Sequence, residues 1–516
     1  MRAPRVKRSR LACSPVLAIA RTCSLVGVEA REVRVEIDVR RGLPSFALVG
    51  LPDAAVRESR ERVRAALVNS GFEFPLRRIT ANLAPADVRK AGPGFDLAIA
   101  AALLVASDQL RPEAIAGVAL AGELALDGSI RPVPGVLAMA EAAGRTGAEA
   151  IAVPVANGRE AAIATSPRVI PLESLAQLEL LNSDREPPAP AALDLTAPPQ
   201  ARGGSLDLDD LRGQPCLRLA LEVAAAGGHS LLITGPPGAG KSMAARRLPS
   251  IMPPLEPREA NEVMRIAGAC GRSFDGDPRR PPFRAPHHTI SAAGLVGGGT
   301  PPRPGEVTLA HRGVLFLDEL GEFSRMALEA LRQPLEDGWV LLSRAWHSVE
   351  LPCRTMLVAA ANPCPCGLGT GEEVCDCPPA AIRRYHARLS GALADRIDLI
   401  IGIGQPSAAA MAGPAEEPSS AVRERVLAAR ERQRARLGDG RSNAETAPRE
   451  LQRKGRIAAD ARRVLADGHA RLGLSGRGHD RVLRVARTVA DLRGCERVDA
   501  EHVAEALSLR RREAER

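Results

Sequence analysis

The chain has 516 residues, 45% of them hydrophobic but only 2% aromatic, and a formal net charge of +9 from 70 basic and 61 acidic side chains. That length exceeds one ordinary core and predicts roughly two to four domains, while the scarcity of aromatics excludes base stacking as a main binding mode. Arginine far outnumbers lysine in a mildly basic total, which permits contact with phosphates without requiring it.

The opening MRAPRVKRSRLACSPVLAIAR joins a basic head to a short apolar run, as a secretory signal does, but Pro15 interrupts the run and Arg21 follows at once. Ten cysteines, four clustered and six scattered, do not make the dense framework of a secreted disulfide protein. No uninterrupted apolar stretch of about 18 residues is present to cross a bilayer. The expectation is a reduced, cytoplasmic chain with no membrane partner.

Two stretches rich in Pro, Ala and polar residues, 182–205 (NSDREPPAPAALDLTAPPQARGGS) and 405–420 (QPSAAAMAGPAEEPSS), read as linkers. They predict a first domain over 1–182, a linker at 183–205, a second domain over 206–404, a linker at 405–420 and a third block over 421–516. In the first, Val33 to Val39 alternates as a half-buried strand. Asp53 can cap a helix carrying Val56, Val63 and Leu67 until Gly71 stops it, and Asp127-Gly128 between apolar runs predicts a hairpin.

In the second block the apolar run Leu231 to Thr234 leads into Gly235-Pro236-Pro237-Gly238-Ala239-Gly240-Lys241-Ser242 and then a helical pattern. Strand, glycine turn and helix are the context in which backbone amides cradle phosphates, with Lys241 supplying charge to the β and γ groups of ATP and Ser242 a ligand for Mg²⁺. Val314 to Leu317 is a strand tipped by Asp318 and Glu319, the end of an open α/β sheet where ligands bind. Asp318 is placed to orient the magnesium shell and Glu319 to polarise an attacking water. A third strand, Met356 to Ala361, ends in Asn362, whose amide can read a γ-phosphate.

Cys364, Cys366, Cys375 and Cys377 follow in one short loop, two C-x-C pairs that offer four soft ligands for a closed tetrahedral zinc site. Free or redox-paired thiols are the alternative. His287-His288 lacks neighbouring ligands and reads as a loop or interface element. The last block is helical over 422–437, 457–472, 479–492 and 500–511, an arrangement that suggests a lid on a nucleotide domain.

With these residues in view the chain resembles the YifB/ComM family of Mg-chelatase-like AAA+ ATPases, from about Pro15 onward. The resemblance is carried by GLPSFALVGLPD at 42–53, FRAPHHTISAAGLVGGG at 283–299, PRPGEVTLAHRGVLFLDEL at 302–320, AANPCPCG at 360–367 and RLSGALADRIDL at 388–399. It implies a homohexameric motor of the helix-2-insert branch, with ComM-type members migrating DNA branches during natural transformation. It implies further that Arg396 is a finger reaching the neighbouring subunit's ATP, and that Arg477, or else Arg484, is the lid arginine called sensor 2. The first domain is similar to a Lon-protease-like (ribosomal S5 domain 2-like) fold. Gly94 stands where the nucleophilic serine belongs and residues 134–147 hold no lysine, so it reads as a non-proteolytic scaffold. By the geometry the resemblance implies, contact with branched or single-stranded DNA would fall to 287–299 and a hairpin over 339–349 with Arg344. Two other readings stay open: a chelatase motor driving metal insertion, although the partner motif D-x-S-x-S is absent, and an ATP-gated scaffold.

Overall fold

A computed structural model describes residues 17–87, 90–182, 189–191, 193–195, 206–272, 277–299, 302–344, 347–367, 375–391, 393, 396–438 and 440–510. The basic N-terminal head and most of the first linker lie outside them. The chain forms two compact units, Met1–Asp194 with Met264–Phe274, and Leu195–Val263 with Asp275–Arg516.

In the first unit, β1 (Leu17–Val26) and β2 (Glu29–Arg40) make a long antiparallel pair; buried residues alternate with more exposed ones over Val33–Val39 of β2, while Thr22, Cys23 and Ser24 of β1 are buried in succession. After β3 (Ser45–Val49), Asp53 caps α1 (Ala54–Asn69), its carboxylate accepting from the Val56 amide at 2.8 Å. Then come β4 (Arg78–Ala84), the wholly buried α2 (Asp96–Ala106), β5 (Val118–Leu120), and the hairpin of β6 (Glu123–Leu124) and β7 (Ile130–Arg131) around Asp127-Gly128. The unit closes with α3 (Val136–Arg145), β8 (Ala150–Pro154), α4 (Gly158–Ala161) and β9 (Arg168–Leu172). Its mixed sheet has seven strands in the order β3-β4-β2-β1-β5-β8-β9. Gly94 lies in the turn before α2, and α3 carries no lysine. Lys90 is buried and donates to the Pro85 carbonyl.

The second unit begins with α5 (Pro215–Gly227), β10 (Leu231–Thr234), α6 (Lys241–Ile251) and α7 (Pro257–Ala269), whose last residues belong to the first unit. Next are β11 (Phe283–Arg284), α8 (Ala292–Val296), the ribbon of β12 (Gly297–Gly298) and β13 (Arg303–Pro304), α9 (Glu306–Leu309) and β14 (Val314–Leu317). Short helices α10 (Arg325–Ala330) and α11 (Arg332–Asp337) lead to the hairpin β15 (Trp339–Arg344) and β16 (His347–Pro352). The Arg344 side chain lies outside the described residues. Then follow β17 (Met356–Ala361), α12 (Pro379–Gly391) and β18 (Leu399–Gly402).

Five strands in the order β11-β14-β17-β10-β18, all parallel, form the sheet. The four residues of β14 and six of β17 are buried without exception, because helices cover both faces of a parallel sheet and leave no solvated side to alternate with. The chain is thus mixed α/β with a parallel sheet.

Within the stretch read as the second linker the structure places α13 (Ala408–Ala412), tied down where Arg212 Nη1 donates to the carbonyls of Met411 and Gly413 at 2.9 and 3.1 Å. The tail holds α14 (Ser419–Leu437), α15 (Pro448–Lys454), α16 (Ala459–Leu472), α17 (Gly476–Leu492) and α18 (Ala500–Ser508). The short α15 escapes the apolar periodicity, having one buried residue, Leu451. Val422, Val426, Val482, Val485 and Val489 of this tail share one core with Leu217, Leu221 and the sheet residues Leu231 and Ile233. Among the described residues no helix is long and apolar enough to cross a membrane.

Candidate nucleotide site

Three neighbouring strands of the parallel sheet deliver the site at their C-terminal ends: β10 the glycine loop, β14 the acids and β17 the asparagine. Strand ends converge there because the strands run in register, Leu231 and Phe316 both opposite Val358. The loop itself needs glycine twice for different reasons. A Cβ on Gly235 would stand 2.5 Å from the Ile403 carbonyl oxygen, and Gly240 adopts φ +92° to launch α6. No side chain caps α6 at Gly240, an arrangement found at helix starts that bind anions.

Lys241 is buried at this helix start and folds back on the loop, donating to the carbonyls of Gly235 at 2.5 Å and Pro236 at 2.9 Å and to Asn362 Oδ1 at 3.1 Å. Burial pushes its ammonium below the ordinary lysine range, against the pull of Asp318 and Glu319. Ser242 Oγ donates to Asp318 Oδ2 at 2.7 Å. Glu319 lies just past the strand in the left-handed region, φ 52° and ψ 52°. That conformation is strained for a residue with a Cβ, and such strain collects at functional sites.

Lys241, Ser242, Asp318, Glu319 and Asn362 thus share one cleft of about 480 Å³, floored by Pro237, Gly238, Ala239 and Gly240. Pattern reading missed several of its other walls. Arg212 and Gln214 come from the segment before α5, and Pro406 and Met411 from the stretch around α13; no local motif marks them, since only the fold carries them there. His288 was also missed as a neighbour of the site: its Nδ1 lies 3.5 Å from Glu319 Oε2.

The arginines expected to act on the nucleotide, Arg396 and Arg477 or Arg484, are elsewhere. Arg396 Nη2 donates to Glu336 at 2.5 Å and its Nε to the Arg332 carbonyl at 3.1 Å, while Arg477 reaches the other oxygen of Glu336 at 3.1 Å. The hydrogen bond from Arg396 holds the Glu336 carboxyl below the usual range. Both arginines line a second cleft of about 640 Å³ that shares no residue with the first. Arg484 lines it too, but its Nε is committed to the Thr446 carbonyl at 2.8 Å. Arg481, between them in sequence, pairs with the buried Asp398 at 3.1 Å, which also faces His229 at 3.3 Å.

The four clustered cysteines come together: their Sγ atoms all lie within 4.8 Å of one another.

Comparison with known proteins finds three family descriptions in succession: "Subunit ChlI of Mg-chelatase" over residues 35–157, "Magnesium chelatase, subunit ChlI" over 207–411, and "Magnesium chelatase, subunit ChlI C-terminal" over 416–510. The chain is 42% identical over 498 residues to the uncharacterised protein YifB of Salmonella typhimurium, covering 96% of this chain and 97% of that one. It is 41% identical over 499 residues to the competence protein ComM of Haemophilus influenzae, again 96% and 97%. A shorter similarity, 31% over 186 residues, covers 34% of this chain and 33% of Lon protease 2 of Bacillus subtilis.

Proposed function

We propose, for a chain that belongs to the YifB/ComM family of magnesium-chelatase-like proteins, an ATP-hydrolysing motor that acts on DNA as a homohexamer. The observation that carries this reading is the separation of its charges: the phosphate cleft gathers Lys241, Ser242, Asp318, Glu319 and Asn362, whereas Arg396 and Arg477 pair on Glu336 in a different cleft. A phosphoryl-transfer site needs added positive charge as the γ-phosphate departs. Arginines that do not line their own subunit's cleft can supply it to a neighbour's, which calls for a closed ring. For the lid arginine, Arg477 suits better than Arg484, being more than half exposed and held by one carboxylate, whereas the Arg484 Nε is committed to a backbone carbonyl.

In the working site Lys241 leaves the loop carbonyls for the phosphate oxygens, Asn362 senses the γ-phosphate and Glu319 holds and polarises the water. The hydroxyl of Ser242 and the carboxylate of Asp318, 2.7 Å apart, are hard oxygen donors of the kind magnesium selects, and they would hold the ion that accompanies ATP. When bound, that ion neutralises phosphate charge. The C-terminal helices, sharing a core with the sheet, serve as the lid.

DNA enters the reading through the near full-length similarity to a competence protein. The segment from His287 to Gly299 and the hairpin at 339–349 are the proposed contacts, gripping phosphates without regard to sequence and weakening with salt. The second reading, a motor for metal insertion into a porphyrin, draws on the chelatase family descriptions. The two part in one experiment. ATPase activity of the intact chain is measured with forked and three-stranded DNA, alongside movement of the branch point. The expected outcome is stimulation by branched DNA, with hydrolysis and branch movement falling roughly a hundredfold or more in Glu319→Gln. A hydrolysis rate indifferent to every DNA overturns the DNA motor in favour of the chelatase or scaffold reading.

A further inference from the structure

We propose that Cys364, Cys366, Cys375 and Cys377 hold one Zn²⁺ ion and that this ion fixes Asn362 and the phosphate loop in place. The second half rests on the reading of the neighbouring cleft as an ATP site; the first does not.

Geometry argues for the ion. None of the four cysteines is in a disulfide. Three of the sulfur pairs, Cys364 with Cys366, Cys364 with Cys375 and Cys366 with Cys375, stand 3.2, 3.5 and 3.5 Å apart, and no pair among the four exceeds 4.8 Å. A tetrahedron of thiolates about 2.3 Å from a zinc ion spaces its sulfurs by about 3.8 Å, in the middle of this range. A disulfide would draw two sulfurs together and give the other two no reason to converge. Four thiolates also select a soft cation and fill its coordination, leaving no open position for catalysis.

Position gives the ion its purpose. Cys364 is fully buried two residues after Asn362, which accepts from Lys241. The Gly367 amide donates to the Cys364 carbonyl at 3.0 Å, closing a turn that lies flush on the phosphate loop. A Cβ added to Gly367, at φ +85°, would meet Pro237 Cγ at 3.0 Å and Asn362 Nδ2 at 3.6 Å. On the far side of the cluster, Cys377 leads within two residues into α12, whose Tyr385 packs so closely on Gly321 that a Cβ there would stand 2.5 Å from the ring. Gly321 is two residues beyond Glu319. The four sulfurs thereby join the loop of Asn362, the floor of the cradle and the helix backing the catalytic acid. Binding metal in the folded state is folding free energy, here spent on holding those three parts together.

The test begins with metal content. The full chain, purified under reducing conditions without added metal and passed through a chelating agent, is expected to retain one zinc per chain by mass spectrometry. Cobalt exchange is expected to give the thiolate charge-transfer and tetrahedral bands. The double variant Cys366→Ser with Cys377→Ser is expected to lose the metal, and Cys216→Ser to keep it. Affinity for a fluorescent ADP is then expected to fall roughly tenfold in the double variant. Because that variant can fail to fold, the same fall is sought in wild-type protein stripped by a mercurial reagent, with recovery on returning thiol and zinc. A chain free of zinc, with four titratable thiols or with disulfides among the four, overturns the site. Zinc present but nucleotide affinity unchanged on its removal overturns the coupling alone. Zinc retained by a chain that binds no nucleotide overturns the ATP reading and the coupling with it, and leaves the metal site standing.

Discussion

Lys241 shows how a single side chain is poised. Its ammonium sits on two loop carbonyls and the Asn362 amide oxygen, partners that satisfy a buried charge without cancelling it. Lys241→Ala is expected to weaken ATP binding by roughly two orders of magnitude, read by titration with a fluorescent analogue. His288→Ala is expected to change the hydrolysis rate rather than nucleotide affinity, since it touches Glu319 and not the cradle. Asp318 and Asn362 were legible in the sequence because each follows its own strand directly, and Lys241 because it closes the glycine loop that runs from β10 into α6, so a short local pattern carries both the element and the chemistry. Arg212, Gln214, Met411 and His288 were not, because they arrive from separate segments and nothing in their neighbours announces the destination.

At the scale of elements, α17 buries charge as well as valine. Arg487 and Asp491 are both about 1% exposed and pair at 2.9 Å, and Asp491 accepts in addition from Arg436 at 2.6 Å and Asn443 at 2.8 Å. Asp491→Asn leaves two guanidiniums short of their counter-charge and is expected to destabilise the second unit by about 3–5 kcal/mol, measured by denaturant unfolding. The helix itself was visible as spaced apolar residues, but the polar cluster was not, since its members stand at 436, 443, 487 and 491. A second element carries a pH signature. The hydrogen bond from His311, at 2.9 Å, and the charge of Arg312 hold Glu262 on α7 down to about 2 from an ordinary 4.5 despite burial. A depressed carboxyl contributes stability that is complete above 4.5 and is lost as pH falls toward 2. Glu262→Gln is therefore expected to cost stability at neutral pH and to lose less than the wild type between pH 5 and 3, followed by thermal melts.

At the scale of the whole molecule, the proposal of a ring makes a prediction no single chain can fulfil. Lys241→Ala spoils the cleft and Arg396→Ala spoils the finger, so each alone is expected to be inactive by a factor near 10³. Mixed in equal amounts they restore about a quarter of the interfaces, those where an intact cleft meets an intact arginine. Recovery of ATPase on mixing is the measurement, and absence of recovery at concentrations where rings form removes Arg396 from the role.

In the proposed ring, Glu336 would act as a guard. One carboxylate clasps two guanidiniums from distant parts of the chain, and a lone acid can be outbid for both only by something more densely negative, such as a polyphosphate. A solitary subunit would keep its trigger sheathed, and fuel would be burned only where a loaded companion has arrived to draw it.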